Sequence, residues 1–344
     1  MVWPARTPLS ADPSASRHAV VDVVICTYNN AAGLDRTLRA LGRSRPAQGR
    51  WGVLVVDNNS TDDTQQVVQR HRRSGALPSL LCVEEPRQGL TWARLRGVTS
   101  TTAPWIAFVD DDCIVDEGWV ERTVDFARAH PRAGGFGGRV VLDHELEIRP
   151  VLRSYGWAFA EQDLGDQVQT VDCLVGAGMV LSRTALEECG WIDEPLLSDR
   201  VGQQLVSGGD VELALRVAST GRPLWYVPDC EIRHEIPARR TTRDYLVRII
   251  TGLGVSHSLA FALTWGGLRR TWLVAAVRQA GWPMVDLLRK VRRIRQGPDA
   301  QLDALLTASF EWGRWRGIAR VAVLVLRGRC TFFGKAASRS APHS

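Results

Sequence analysis

Hydrophobic residues form short, nearly unbroken runs in the first third of the chain, and periodic segments separate these runs. The runs have few polar positions, as is typical of strands covered on both faces. Between them, apolar residues recur at helical spacing, as at Leu34, Leu38 and Leu41. Strands that alternate with helices of this length predict a mainly parallel sheet with helices on both faces. The predicted strands are Val20–Thr27, Trp51–Val56, Leu80–Val83 and Trp105–Val109.

The pattern continues less regularly through the middle of the chain. Glu117–His130 is periodic and predicts a helix, whereas the small apolar run Val175–Leu181 predicts a strand beneath a substrate. Asp210 is expected at the start of a further helix. The apolar stripe of that helix is predicted to be Val211, Leu215 and Ala218, and a short strand at Leu224–Val227 leads toward His234.

Polar residues stand where the predicted strands end. Thr27 ends the first strand, Asp57 the second, and Asp110, Asp111 and Asp112 the fourth. Ligands bind outside the carboxyl ends of such strands, so these residues are expected at one shared site. Three adjacent carboxylates repel one another unless water, a cation or hydrogen-bond donors offset the charge. A divalent metal carrying a phosphorylated ligand is one explanation, and an acidic turn that ends a strand is the other.

The turn after the first strand argues against one common nucleotide-binding class. It reads Thr27-Tyr28-Asn29-Asn30 and has no G-x-G-x-x-G pattern, so a dinucleotide-binding Rossmann unit of the usual kind is not expected. The seven cysteines are scattered, odd in number and without a CxxC pair. This spacing argues against a disulfide framework or a thiolate zinc site and favours a reducing compartment.

Charge divides the 344 residues into two unequal parts. From residue 241 onward there are 17 Lys and Arg against 5 Asp and Glu, whereas the first 240 residues carry 26 against 32. We therefore predict a disordered leader at residues 1–18, a catalytic domain at 19–240, and a basic, helical extension at 241–344 that faces an anionic surface. The basic residues accompany no nucleic-acid-binding motif, so nucleic acid is not an expected substrate.

The extension leaves its relation to membranes open. Ile249–Leu268 has no charged residue and is long enough to span a bilayer, but polar residues and glycines interrupt it. Trp272 and Trp282 lie near Arg278 and Arg289, a combination that suits a helix resting on anionic lipid. Interfacial attachment, a helical lid or dimer face, and a true span all remain as alternatives.

Taken together, the motifs resemble those of inverting glycosyltransferases of family 2, which have the GT-A fold. They occur in the family's order and cover about Val20–Pro237. The matching pieces are VDVVICTYNN, VLVVDNNSTDDT, GLTWARLRG, WIAFVDDDC, VGAGMVLSRTALEECGWIDEPL, GGDVELALRVASTG and VPDCEIRHEIP.

The resemblance implies a role for each matching residue. Thr27, Tyr28 and Asp57 would contact the nucleotide base, Arg94 the ribose or diphosphate, and Asp110 the ribose. Asp112 and His234 would hold Mn²⁺ or Mg²⁺, although Asp111 and Asp112 could exchange roles. Asp210 would be the general base, while Trp191 and Asp193 would line the acceptor pocket. The sequence departs from the family in one place, because Gly209 stands where Glu usually precedes the catalytic Asp.

The resemblance therefore implies transfer of a sugar from a UDP, GDP or dTDP donor to a glycan or lipid-linked acceptor. The basic extension suggests that the protein is cytoplasmic and peripheral on the inner face of the cell membrane. Two rival functions are a nucleotidyltransferase, which would release pyrophosphate, and a non-catalytic protein of the same fold that binds nucleotide sugars or lipids.

Overall fold

The computed structural model describes residues 19–45, 51–77, 79–195, 208–267, 269–281 and 283–327. The predicted leader, residues 1–18, lies outside them. The strands are β1 Val21–Thr27, β2 Trp51–Asp57, β3 Leu80–Glu84, β4 Trp105–Phe108, β5 Cys113–Val115, β6 Gly135–Gly137, β7 Val140–His144, β8 Gln169–Val171, β9 Met179–Ser182, β10 Leu224–Tyr226 and β11 Ile232–Ile236.

Helices follow most of these strands. The α-helices are α1 Ala31–Leu41, α2 Thr64–Ser74, α3 Leu90–Ser100, α4 Trp119–Ala129, α5 Arg183–Glu188, α6 Gly209–Ala218, α7 Arg243–Thr264, α8 Arg269–Gly281, α9 Pro283–Arg292 and α10 Pro298–Leu326. The 3₁₀ helices are Pro150–Phe159, Ala238–Thr241 and Ile294–Gln296.

In the described part of the chain, eight strands form one sheet in the order β3-β2-β1-β4-β9-β6-β10-β8, and β5-β11-β7 form a second. The pairs from β3 to β4 are all parallel, so the carboxyl ends of β1, β2 and β4 meet at one edge. Strand β9 runs antiparallel to both of its neighbours. The sheet thus confirms the predicted mainly parallel α/β fold of the GT-A type, with an antiparallel insertion.

Strand β1 shows why the apolar runs contain no polar alternation. Val23 and Ile25 face one hydrophobic cluster, which includes Leu34 and Leu38 of α1. Val24 faces the other cluster, which α3 and α6 cover from the opposite side of the sheet. Both faces of the strand are therefore buried, and apolar side chains are favourable on either face. Asp22 is an exception, and its Oδ2 accepts from the amide of Ala103 at 3.1 Å.

Two predictions from the middle of the chain are wrong in detail. Residues 175–178 are not a strand, because the chain turns at Gly178 with φ of 74° and β9 begins only at Met179. Helix α6 buries Leu213, Ala214 and Val217, instead of the stripe predicted from Val211. An ion pair inside α6 explains the second error, since it allows the charged residues Glu212 and Arg216 to be buried together.

The C-terminal helices pack closely on one another. A Cβ added to Gly313 of α10 would lie 2.1 Å from the carbonyl oxygen of Thr251 in α7, and one added to Gly254 would lie 2.2 Å from that of Phe310. Glycine at both positions therefore lets the two backbones touch. Helix α7 is long and apolar enough to cross a membrane, and half of its most apolar stretch is buried within the protein.

Candidate active site

The rim formed by the ends of β1 and β2 is rigidly cross-linked. Thr27 and Asp57 are partners in the strand register, and the amide of Asn58 donates to the carbonyl of Thr27 at 2.9 Å. The Asn29 side chain accepts from the amide of Thr61 at 2.7 Å. The loop after β1 and the loop after β2 therefore hold each other in place, and both lie at the same edge of the sheet.

Asn58 extends this bracing to the next loop. Its buried side chain donates to the carbonyls of Glu85 and Arg87 and accepts from the amide of Gly89, at 2.7–2.8 Å. Because α3 begins at Leu90, these bonds fix where the helix starts. The position of Arg94, one turn into the helix, is set in the same way.

Asp111 is held by two neutral donors. The Thr27 hydroxyl donates to Oδ2 at 2.6 Å, and the Asn30 amide donates to Oδ1 at 2.9 Å. Burial, together with the neighbouring charge of Asp112, raises the pKa of Asp111 to about 7 in spite of these bonds. The side chain thus ties the end of β4 to the loop after β1.

Asp112 has a different environment from its neighbour. Its Oδ1 lies 3.3 Å from Nε2 of His234, and its Oδ2 accepts from Nη2 of Arg240 at 2.7 Å. Nδ1 of His234 lies 2.7 Å from the carbonyl oxygen of Phe159. Since a carbonyl can only accept, Nδ1 carries the hydrogen and Nε2 faces Asp112. Burial alone would lower the pKa of His234, but the charge and hydrogen bond of Asp112 outweigh it and raise the pKa.

These groups fit a divalent cation. Ligand atoms of Asp112, Cys113 and His234 all lie within 4.8 Å of one another. Burial raises the pKa of the Cys113 thiol well above its usual value, so the thiol stays protonated and is a poor ligand. Adjacent ligands of an octahedral ion with bonds of about 2.1 Å lie about 3 Å apart. The 3.3 Å between Asp112 and His234 matches that spacing.

Arg94 and Asp210 lie next to each other beside Gly176. A Cβ added to Gly176 would lie 2.8 Å from Oδ2 of Asp210 and 3.1 Å from Nη2 of Arg94. The two side chains are therefore next to each other, in space that any larger residue at position 176 would fill. Asp210 stands in the first turn of α6, where its Oδ1 accepts from the amide of Val211 at 2.9 Å.

The thiol of Cys26 lies near charged residues from both parts of the site. Burial raises the pKa of this thiol to about 12, and the charges of Arg94, Asp110 and Asp111 all act on it. Cys26 directly precedes Thr27 at the end of β1. The guanidinium of Arg94 and the carboxylates of Asp110 and Asp111 therefore all lie near the end of this strand.

The remaining predicted residues have varied positions. Asp57 is buried, and its Oδ1 accepts from the amide of Ser60 at 2.9 Å, so one oxygen stabilises the turn. Tyr28 is exposed beside Thr27. Trp191 is 1% exposed and packs in the core under β9, while Asp193 is on the surface. In this structure Trp191 supports the site from behind, and its contact with an acceptor stays a prediction.

Three contributors to the site were not predicted from the sequence. Asn30 holds Asp111, Arg240 holds Asp112, and Gly176 makes room for Asp210 and Arg94. Gly176 lies in the glycine-containing run VGAGM, which was a signal of close backbone approach. Arg240 follows a strand by four residues in a basic stretch, and no local pattern distinguishes it from Arg239.

Comparison with known proteins places the chain among glycosyltransferases. Residues 22–190 match the model of glycosyl transferase family 2. The chain is 27% identical over 337 residues to pre-mycofactocin glycosyltransferase of Mycobacterium tuberculosis, covering 92% of this chain and 66% of that protein. It therefore spans slightly less than two thirds of that relative's length.

A second relative and a solved structure are also glycosyltransferases. Glucosyl-dolichyl phosphate glucuronosyltransferase of Haloferax volcanii is 26% identical over 235 residues, covering 66% of this chain and 72% of that one. The Pyrobaculum calidifontis mannosyltransferase in complex with GDP-Man and Mn²⁺ superposes with a TM-score of 0.59 at 18% identity, covering 91% of this chain and 90% of that chain. That likeness confirms the predicted GT-A fold. Through residues 22–190, the chain belongs to glycosyl transferase family 2.

Proposed function

We propose that this protein is an inverting, divalent-metal-dependent glycosyltransferase that moves a sugar from a nucleotide-sugar donor to a hydroxyl acceptor. One observation carries the proposal. Side chains from remote parts of the sequence meet at one rim of the sheet, with Asp111 and Asp112 at the end of β4 and the pair of Arg94 and Asp210 beside Gly176. Family membership and the donor-bound structural neighbour support the same reaction.

The leaving group explains the need for cationic groups at the rim. When the bond between the sugar and the diphosphate breaks, negative charge accumulates on the phosphate oxygens. Asp112 and His234 would hold the metal, which when bound supplies Lewis-acid stabilisation of that charge. A carboxylate oxygen with an imidazole nitrogen favours Mn²⁺ over Mg²⁺, which prefers oxygen ligands alone. Arg94 would bind the diphosphate directly, as the resemblance implies.

The acceptor hydroxyl requires a base. Asp210 is assigned this role because its carboxylate lies beside Arg94, and thus next to the donor's binding groups. Oδ1 is engaged by the amide of Val211, which leaves Oδ2 to take the hydroxyl proton during attack. A single displacement with a single base inverts the anomeric centre, and no second carboxylic acid is needed at the leaving group.

Replacement of the base separates this function from its rivals. In Asp210→Asn we expect transfer to fall by about 10²–10⁴-fold, the usual contribution of a general base, with donor affinity little changed. Transfer would be measured as nucleoside diphosphate released from UDP-, GDP- and dTDP-sugars, with Mn²⁺, Mg²⁺ or a chelator. Asp125→Asn, an exposed carboxylate on α4, is the matched control.

The alternatives would give different products. Release of pyrophosphate would identify a nucleotidyltransferase. A variant that binds donor and turns it over as fast as wild type would remove Asp210 from the mechanism. Binding without turnover in every donor and metal combination would favour a non-catalytic nucleotide-sugar protein.

We further propose that the acceptor is lipid-linked or polymeric and that the enzyme is peripheral on the cytoplasmic face of the membrane. Helix α10 exposes a stripe containing Trp312, Trp315, Arg316, Arg320 and Val323. Aromatic, apolar and cationic side chains on one helix face suit the interface of an anionic bilayer. The name of the Haloferax volcanii relative, which describes a dolichyl phosphate glycoside, supports an acceptor of this kind.

Vesicle sedimentation tests this second proposal. The full chain should pellet with vesicles that contain anionic lipid and stay in solution with purely zwitterionic vesicles. Trp312→Ala/Trp315→Ala should weaken pelleting by about tenfold, since the two indoles supply most of the exposed apolar area on the stripe. Equal pelleting of wild type and variant would place membrane contact elsewhere, and no pelleting at all would contradict it.

A further inference from the structure

A second cavity lies away from the sheet rim, among the C-terminal helices. It has a volume of about 800 Å³, is open to solvent, and is lined by the 3₁₀ helices Pro150–Phe159 and Ile294–Gln296 and by helices α7 to α10. Sites for small organic ligands usually have volumes of about 300–1,000 Å³. None of the donor-binding groups described above lines this cavity.

Aromatic rings form one part of its lining. Trp157 packs edge-on against Phe310, with ring centroids 5.5 Å apart and planes at 80°, and His257 contacts Phe310 from 5.9 Å. Although tryptophan is usually well buried, Trp157 is 46% exposed here. Burial and the charge of Arg314 lower the pKa of His257, so this ring is neutral as well.

Polar groups held in fixed positions form the other part. The Tyr155 hydroxyl donates to Oδ1 of Asp303 at 2.7 Å, and Nζ of Lys290 donates to the same oxygen at 3.0 Å. Arg314 and Glu311 form a buried ion pair at 3.2 Å. The guanidinium is fixed further by Nη2, which donates to the carbonyl of Gln279 at 2.8 Å.

The charges that line the cavity balance. Three cations, Lys290, Arg293 and Arg314, face three anions, Asp299, Asp303 and Glu311. Asp303 and Glu311 are matched inside the cavity, and Asp299 is matched by Arg149 at 2.8 Å. With Arg149 counted, the cavity and its edge carry one cation more than anions, so a phosphate would be attracted by a single excess charge and a cationic ligand would not be attracted. Aromatic faces combined with fixed, planar hydrogen-bonding groups suit a neutral ligand with many hydroxyl groups.

One helix connects the cavity to the metal-binding residues. Trp157 lines the cavity, and Phe159, two residues later in the same 3₁₀ helix, accepts the hydrogen bond from Nδ1 of His234. Two residues of a 3₁₀ helix advance by only about 4 Å. A chain of sugars bound at Trp157 would thus begin close to the metal-binding residues.

We propose that this cavity is a binding subsite for neutral saccharide units of the acceptor. The assignment rests on the proposed transfer of a sugar to a glycan, and it places the part of the acceptor remote from the reacting hydroxyl against Trp157.

Saturation-transfer NMR on the full chain tests the subsite. The probes are the neutral tetrasaccharides cellotetraose, maltotetraose and mannotetraose, with myo-inositol hexakisphosphate as the anionic comparison. At least one tetrasaccharide should bind, and Trp157→Ala should weaken that binding by about tenfold, as expected when an aromatic anchor is truncated. Trp157→Phe should restore part of the affinity, and Leu164→Ala, a similarly exposed apolar side chain outside the cavity, should leave it unchanged.

The outcomes distinguish the subsite from the catalytic proposal. Absence of binding by all three tetrasaccharides, equal binding by Trp157→Ala, or preferential binding of the inositol phosphate in a Trp157-dependent way would overturn the subsite. Donor turnover is measured separately with nucleotide sugars. Turnover without Trp157-dependent saccharide binding would reject only the subsite, whereas saccharide binding without any turnover would reject only the transferase.

Discussion

Buried carboxylates at the strand ends and buried carboxylates in the helices are neutralised in different ways. In α6, Glu212 faces Arg216 one turn away, and in α10, Glu311 faces Arg314. At the rim, Asp111 accepts hydrogen bonds from a hydroxyl and an amide. Asp112 is paired with Arg240, which also lies 3.3 Å from the imidazole of His234. In each helix pair, the cation lies within one turn of the carboxylate that it neutralises. The rim combines several carboxylates with donors from other segments, and it retains negative charge that a bound cation can offset.

The largest effect should come from breaking a complete pair. Arg216→Met leaves the fully buried Glu212 carboxylate without its cation and removes bonds to the carbonyls of Cys189 and Glu194. We expect a loss of about 3–5 kcal/mol in the free energy of unfolding, measured by denaturant titration. Arg128→Met, an exposed arginine on α4, is the control.

The double variant Glu212→Met/Arg216→Met sharpens this test. It removes both charges, so it should recover much of the lost stability. A loss below about 1 kcal/mol in the single variant would mean that water or another group already solvates Glu212, and the contrast between helix and rim would then disappear.

The next effect concerns the pH dependence of the rim. The pKa of Asp111 is raised to about 7, so the folded protein keeps a proton that the unfolded chain releases from near pH 4 upward. Stability from this group is therefore greatest at low pH and falls by up to about 1.4 kcal/mol per unit until the pH passes 7. In Asp111→Asn this loss should be absent.

Urea unfolding at pH 5 and pH 8, in the presence of a chelator, measures that difference. The wild type should lose about 1–3 kcal/mol more than Asp111→Asn between the two pH values. Asp63→Asn, at an exposed helix start, should behave like the wild type. Identical pH profiles for wild type and Asp111→Asn would show that the rim carboxylate is as well solvated as a surface group.

The smallest effect concerns Arg240, whose positively charged guanidinium lies at the rim. The Arg240 guanidinium accompanies Asp112 at 2.7 Å and lies 3.3 Å from Nε2 of His234, where it repels a second cation. Arg240→Met should therefore bind Mn²⁺ about tenfold more tightly in the absence of donor. Calorimetry with Mn²⁺ alone measures the change, and Arg239→Met, its exposed neighbour, should bind as the wild type does. Weaker binding in Arg240→Met would assign Arg240 to holding the ligands in place.

The residue pattern was sufficient to predict the parallel strands of the sheet and the edge at which the site lies. Runs such as Val21–Thr27 and Trp105–Phe108 are apolar on both faces, and this property is visible along the chain because it requires no alternation. The polar residues that end these strands marked the rim, since parallel strands bring their carboxyl ends together. Local pattern and sheet geometry together were sufficient there.

The different partners of the rim carboxylates depend on contacts that form only in the folded chain. Asp111 and Asp112 are adjacent in sequence, but one meets Thr27 and Asn30 whereas the other meets His234 and Arg240, more than a hundred residues away. The burial of Trp191 also depends on remote contacts, and its contact with an acceptor stays a prediction. The cavity beside Trp157 is likewise formed by segments up to about 160 residues apart. Burial and hydrogen bonding depend on contacts between remote segments, and local sequence patterns carry no record of those contacts.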